Sequence, residues 1–149
     1  MTLKEVENFI HRVNQQQENK GYTLWAIELK ATADLIGFIG LNYTDFPAHF
    51  TPAIGIGWRI GSQYWCNGYA TEGAKAVLDY GFNKINLEEI VAFTVPDNLR
   101  SIKVMERLGM LRDLEGDFNH PKLSATHKLS KHVLYHLTTD QYHDYIKNV

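Results

Sequence analysis

A mixed α/β fold, a sheet layered with helices, is predicted by three observations. Short runs that alternate apolar and polar residues take turns with longer runs of helical period. The first two strand-like runs, residues 22–29 and 35–43, are separated only by the turn at 30–34, so they form an antiparallel hairpin. A glycine-bearing turn at 64–69 then joins a strand-like run to a helix-like run.

Each element follows from local chemistry. Thr2 and Glu5 have the spacing of a capping box, and Val6, Phe9, Ile10 and Val13 recur at helical intervals, which predicts a helix over 3–18. Residues 46–52 read as a loop. Residues 53–60 read as a third strand, in which Gly55 and Gly57 suggest a bulge or a close backbone approach. Ala70, Ala74, Val77, Leu78, Gly81 and Phe82 share one face of a helix over 70–84. The apolar run 90–95 predicts a buried strand. Asn98 is a good N-cap and Gly109 a good residue just past the C-terminus of the helix between them. A strand over 110–114, a long loop over 118–130, a last strand over 132–137 and a short terminal helix over 141–149 complete the chain.

Composition narrows the function. A chain of 149 residues, 44% hydrophobic, supplies one domain with one ordinary core. A net charge of −2 gives no electrostatic case for nucleic acid or an anionic membrane as partner. Cys66, the single cysteine, rules out an internal disulfide framework and fits a reducing compartment. No apolar run reaches the roughly 20 residues of a membrane span. Residues 1–5 carry no signal-peptide pattern. A soluble cytoplasmic protein is expected.

The most informative stretch is Tyr64-Trp65-Cys66-Asn67-Gly68-Tyr69-Ala70-Thr71-Glu72. A glycine-bearing turn that opens a helix gathers unpaired backbone N–H groups at the positive end of the helix dipole, which favours an anion. No run ends in Gly-Lys-Ser/Thr, so this is not a P-loop. Gly55, Gly57 and Gly61 lie before or at the end of a strand rather than in a turn opening a helix, so it is not a dinucleotide fingerprint.

The stretch Trp65 to Glu72, preceded by Ile56-Gly57-Trp58-Arg59-Ile60, resembles the acetyl-CoA signature of the GNAT superfamily of N-acetyltransferases. The likeness is greatest to the branch that includes the ribosomal-protein N-terminal acetyltransferases. A second block, Asn98-Leu99-Arg100-Ser101-Ile102-Lys103-Val104-Met105-Glu106-Arg107-Leu108-Gly109-Met110, follows at the family's spacing. The likeness runs over roughly 21–137. It implies a mostly antiparallel sheet splayed where acetyl-CoA binds. It also implies a short N-terminus, because family members carry a further strand before the first helix. That would leave 22–29 as an open edge, and edges invite pairing, so a homodimer is expected.

The resemblance also assigns residues. Backbone N–H groups from Cys66, Asn67, Gly68, Tyr69, Ala70 and Thr71, with Trp65, would hold the pyrophosphate. Trp58, Arg59 and Ile60 would line the pantetheine arm along a strand. Asn98, Ser101 and Val104 would complete the cofactor site, with Lys103 or Arg107 near the 3′-phosphate. Ser101 matches a proposed general acid beside the cofactor sulfur; capping and support of the first helical turn are the plainer roles for Asn98 and Ser101. An acidic residue often occupies the position of Gly55, and glycine accepts no proton. Either another residue serves, from Asp45, His49, Asp117 or His120, or water relays the proton, or the activity is impaired; His120 is expected to be catalytic at the border of an acceptor pocket. His132 and His136 would share a metal only on a helix; on a strand they stand about 13 Å apart, so no metal is expected. Cys66 reads as a small residue in a tight turn, not a nucleophile. The expected function is transfer of acetyl from acetyl-CoA directly to a primary amine, whether a small molecule or a peptide N-terminus. The rival readings are a catalytically weak acyl-CoA-binding relative and a partner-binding protein of the same fold.

Overall fold

The computed structural model describes residues 2–124, 127 and 129–149. Met1 and, within the 118–130 run, Ala125, Thr126 and Lys128 lie outside the described residues.

Helix α1 (Leu3–Lys20) opens on the expected capping box, in which Thr2 Oγ1 accepts from Glu5 N–H and Glu5 Oε2 accepts from Thr2 N–H. It closes at Gly21, whose left-handed φ of 79° lets its N–H reach Gln17 O. No residue of α1 is buried. Polar groups tie it to the sheet instead: Gln16 Nε2 donates to Tyr22 O and Leu41 O, and Thr23 Oγ1 donates to Val13 O.

Strands β1 (Leu24–Glu28), β2 (Leu35–Thr44) and β3 (Ala53–Ile60) form an antiparallel meander. A one-turn 3₁₀ segment (Ser62–Tyr64) leads to α2 (Tyr69–Asp79). Then follow β4 (Glu89–Thr94), α3 (Leu99–Arg107), β5 (Leu111–Arg112), β6 (Phe118–Asn119), β7 (Lys131–Thr138) and α4 (Thr139–Lys147). The sheet order is β1-β2-β3-β4-β7-β5, with β6 also paired to β7, so β1 is an edge. Every pairing is antiparallel except β3–β4, which is parallel and is joined at the single register pair Gly55–Val91.

Strand alternation gives the sheet two unlike faces. Leu41, Ile56, Ile90, Ala92, Val133 and Leu137 pack with Ala74, Val77, Leu78 and Phe82 of the α2 segment and Val104, Met105 and Leu108 of the α3 segment. Leu41, Leu78, Ile90 and Leu137 are fully buried, each contributing about 1.5–3 kcal/mol of transfer free energy. The opposite face carries Asn42, Thr44, Gly55, Gly57, Val91, Phe93, His132 and Leu134, and no helix-face core covers it.

Several boundaries differ from expectation. The 70–84 helix is α2 plus a π-turn over Tyr80–Lys84, which brings Phe82 into a stack with Tyr142 at 4.8 Å. The β2–β3 register is unbroken past Gly55 and Gly57; the irregularity lies at Ile27/Glu28 instead. The strand expected over 110–114 shrinks to Leu111–Arg112, and the expected loop begins with strand Phe118–Asn119, because β7 offers an unsatisfied ladder to both. The terminal helix starts two residues early, on a capping box between Thr138 and Gln141.

Helix α3 ends as expected. Gly109 has φ +80°, and a Cβ there would stand 2.6 Å from the Tyr145 ring, whose hydroxyl donates to Arg107 O. Gly109→Ala is expected to lower stability by about 1–3 kcal/mol, from left-handed backbone strain plus overpacking. A urea titration with unchanged m-value checks it; an unchanged midpoint would contradict the packing.

Candidate functional site

Beyond Gly55–Val91 the two parallel strands separate, and a cleft of about 820 Å³ opens between β3 and α3. The cause is topological. Strand β3 runs on into the 64–69 turn while β4 leads into α3, and no hydrogen-bond rung holds Trp58 to Thr94 or its neighbours. The ends of two buried strands therefore expose backbone groups to a ligand, where open α/β sheets place their sites.

Three segments line the cleft. Trp58, Arg59 and Ile60 come from β3; Trp65, Cys66, Gly68, Tyr69, Ala70 and Thr71 from the turn and the start of α2; Asn98, Ser101 and Val104 from α3. These are the expected cofactor residues save Asn67, which braces the turn from behind: its Nδ2 donates to Tyr64 O and Trp65 O. The turn needs two left-handed residues, Cys66 at φ 66° and Gly68 at φ 78°. The strained cysteine is tolerated beside a glycine that adopts the same region freely. Helix α2 starts at Tyr69, so the N–H groups of its first turn have no intrahelical acceptor.

The lining holds four cations, Arg59, Arg100, Lys103 and Arg107, and no carboxylate, in a chain whose net charge is −2. The Arg100 guanidinium lies 3.6 Å from the Trp65 ring centroid, and Trp65 is fixed by its Nε1 donating to Ile60 O at 2.8 Å. The donor set therefore fits a polyanion with a planar group or an extended arm. A separate recess beside Leu78, Leu108 and Tyr142, about 130 Å³, is mostly apolar and carries one cation, Lys75.

Two catalytic candidates separate. Ser101 sits in the cleft, where its Oγ accepts from Trp58 Nε1 at 3.3 Å and its N–H donates to Asn98 Oδ1. With the oxygen accepting from the indole, the hydroxyl hydrogen is left to donate elsewhere. Asn98 also donates to Thr94 Oγ1, so its side chain is engaged at both ends in capping α3. His120 lies outside the cleft, on the opposite sheet face. Its Nδ1 accepts from Lys122 N–H, so the neutral ring carries its proton on Nε2. Burial, with His132 and Lys122 nearby, holds its pKa below the ordinary value. Of the other substitutes for a base, Asp117 is paired with Arg112 at 3.2 Å and Lys131 at 3.4 Å, and His49 meets Gly116 O. Asp45 is exposed just after β2.

The packing of the residues around His120 into one aromatic cluster escaped the sequence reading. Phe46, Phe50, Phe93 and Phe118 touch one another in all pairings, with ring centroids 4.9–6.1 Å apart. His120 and His132 lie against that cluster, 5.2 Å from each other. The available signal was two phenylalanines inside a loop of only seven residues, 46–52, which a solvated loop does not explain. His132 and His136 stand on strand β7, where His132 meets His120 and His136 faces Glu89 at 3.7 Å.

The model of the acetyltransferase (GNAT) domain matches residues 1–111. The chain belongs to the GNAT acetyltransferase family. It is 37% identical over 111 residues to the uncharacterized protein YkkB of Bacillus subtilis, covering 72% of this chain and 63% of that one. It is 30% identical over 118 residues to the uncharacterized N-acetyltransferase p20 of Bacillus licheniformis, covering 76% and 65%. The chain thus spans less than two thirds of either relative. Among solved structures, a GNAT acetyltransferase from Bacillus anthracis aligns with a TM-score of 0.73 at 28% identity, over 94% of this chain and 76% of that one. The ribosomal-protein-S5-alanine acetyltransferase of Vibrio fischeri shares the fold, with a TM-score of 0.73 at 23% identity over 93% and 73%. The GNAT match contains the whole cleft and ends at Leu111, so Phe118, His120 and His132 lie beyond it. Among the described residues no helix is long and apolar enough to cross a membrane, and no group of three or more His, Cys, Asp or Glu is placed to hold a metal.

The depressed pKa of His120 makes a stability prediction. The native ring binds its proton less tightly than the unfolded one, so its contribution is full above the unfolded value near 6.5 and falls as pH drops through the lower folded value. Thermal melts from pH 7.5 to 5 are expected to show falling stability, and His120→Asn is expected to flatten that dependence. An identical pH slope in the variant would remove His120 as its source.

Proposed function

We propose that the protein is an acetyl-CoA-dependent N-acetyltransferase that passes acetyl directly to a primary amine. The observation that carries this reading is the cleft itself: a strand splay, the N-terminus of α2 and four cations without a carboxylate, combined in one place. Acetyl-CoA presents a diphosphate, a 3′-phosphate and a thin amide-bearing arm. The first-turn N–H groups of α2 suit the diphosphate. Arg100, Lys103 and Arg107 suit the 3′-phosphate, and the unpaired inner edge of β3 suits the arm.

In the reaction, the free amine attacks the thioester carbonyl, a C–N bond forms and the C–S bond breaks. The amine gives up one N–H proton, and the departing thiolate gains one, so CoA leaves as the thiol. The Ser101 hydroxyl, oriented by the indole of Trp58, is the proposed donor to that sulfur. His120 is proposed as a hydrogen-bond donor through Nε2 at the acceptor side. With Gly55 in place of an acid, the proton of the incoming ammonium leaves through water. That same glycine favours a second reading, an acyl-CoA binder of little turnover, which a CoA-release assay with an amine panel distinguishes.

The single exposed Cys66 accords with a reducing, cytoplasmic setting. The free edge of β1 is proposed to pair with a second copy of the chain. Sedimentation at micromolar concentration checks this; a clean monomer removes it.

Acetyl-CoA at 100-fold over its Kd is expected to raise Tm by roughly 5–10 °C. Gly68→Val is expected to abolish the shift, because a β-branched residue resists the left-handed φ that the turn requires. Calorimetry that detects no acetyl-CoA binding by the wild type would overturn the reading.

Ser101→Ala is expected to lower kcat roughly 10- to 100-fold with little change in acetyl-CoA affinity. Trp58→Phe keeps the packing but removes the N–H. Its expected loss is smaller, about 3- to 10-fold, and it should vanish in the Ser101→Ala background. Additive losses would mean that Trp58 does not act through Ser101.

A further inference from the structure

We infer that the acceptor is an arylalkylamine, a primary amine carried on an aromatic group, held against the phenylalanine cluster on the open face of the sheet. This rests on the transferase reading above and names its second substrate class.

The argument begins with the route to the thioester. The cofactor cleft occupies one side of the β3–β4 splay, and the helix-face core fills the sheet beneath it. An acceptor must come from the other side. There the floor of the splay is glycine. No atom stands within 4 Å of where a Cβ on Gly57 would sit, and one on Gly55 would meet only ordinary contacts, with Thr44 Oγ1 at 3.5 Å and Phe93 Cε1 at 3.9 Å. Bare backbone therefore lies between the open face and the arm, and the nearest side wall is the Phe93 ring.

Phe93 is the inner member of the cluster. Phe46 and Phe50 reach it from the 46–52 loop, and Phe118 reaches it from β6. That loop is held in shape by Thr51, whose Oγ1 donates to Phe46 O, and it is pinned to the 113–117 turn by His49 and Gly116 O. The wall is thus built from three separate segments, β4, the 46–52 loop and β6, and the loop is tied by these hydrogen bonds. All four phenylalanines remain partly exposed, in a cluster distinct from the main core. An aromatic ring on the acceptor finds apolar surface here, and His120 Nε2–H offers a donor to a neighbouring carbonyl.

An apolar wall suits an aromatic amine better than a polyamine. Of the acids on this face, Asp117 is held by Arg112 and Lys131 and Glu89 stands at the far end of β4 by His136, while Asp45 is exposed beside Phe46. Lys122 adds a cation beside His120. An apolar wall also disfavours the ammonium form, which helps a site without an acidic base to obtain the free amine.

The test is a competition of acceptors with the full chain and acetyl-CoA. Specificity constants are measured for 2-phenylethylamine, phenylalaninamide, butylamine and spermidine. The aromatic amines are expected to exceed butylamine and spermidine by at least roughly 10-fold, at about 3- to 10-fold per ring contact. Phe118→Leu and Phe46→Leu are expected to narrow the aromatic-to-butylamine ratio, and His120→Glu to shift the ratio toward spermidine. The wild-type ratios stand alone if a variant fails to fold. Equal constants, a preference for spermidine, or no turnover of either aromatic amine by a protein that binds acetyl-CoA would overturn the inference. Failure of the wild type to bind acetyl-CoA would instead strike the transferase reading and take the inference with it.

Discussion

One rung of hydrogen-bonded register, Gly55 to Val91, holds the two halves of this sheet together. Everything else about the site depends on there being no second one. On one side of the rung the meander β1-β2-β3 is continuous; on the other, β4 and β7 pair along six residues. The halves stay joined because Ile56, Ile90, Ala92 and Leu41 share one apolar core with α2, and that burial outweighs the lost ladder bonds. A wider seam would cost the core its continuity. A closed seam would leave no unpaired strand edge for a ligand and no path between the faces.

The rung is placed where side-chain bulk is least. Gly55 and Gly57 leave the open face of β3 unobstructed at the point where the strands part, whereas the neighbours Ile54, Ile56 and Trp58 fill the other face. Strand alternation thus does two jobs in five residues. Even-numbered side chains anchor the seam to the helices, and odd-numbered positions give up side chains so that a reactant can approach. The loss of an acidic group at 55 follows from the same economy. A Cβ there would meet only ordinary contacts, the nearest Thr44 Oγ1 at 3.5 Å, but a carboxylate would place a charge beside Phe93 and its ring cluster.

How far the sequence speaks depends on range. The capping boxes and the glycines at 21, 68 and 109 act within one helical turn, so α1, α2 and α3 were legible, as was the gathering of the two contiguous blocks around one cleft. The mixed sheet was legible because apolar period changes between its elements. The rest required pairing across distance. Strands of two residues, β5 and β6, have no periodicity of their own and exist because β7 offers them a partner. The indole-to-serine bond spans 43 residues, and the phenylalanine cluster unites positions from 46 to 118. His120 was singled out in the sequence as a candidate, but its tautomer was not legible, since that depends on the Lys122 N–H folding back on Nδ1. Of the two readings of Gly55 and Gly57, a bulge or a close backbone approach, the bulge fails, because β2 keeps its register past both.

The two faces of the seam impose opposite electrostatic conditions, and transfer needs both. On the helix side, four cations and the positive end of α2 suit a highly charged anion that is never consumed as a charge. On the open side, phenylalanines and a neutral His120 favour the uncharged form of the amine, the only form that can attack. In the proposed direct transfer, charge develops on nitrogen, on the carbonyl oxygen and then on the departing sulfur, and Ser101, held by Trp58, is the group proposed to meet the sulfur. A hydroxyl whose oxygen already accepts a hydrogen bond is a better donor, since polarisation along a chain of hydrogen bonds strengthens each link. In the proposed mechanism, placing that chain at the seam would let a neutral residue serve a developing thiolate without putting a fixed charge between an anionic ligand and an apolar one.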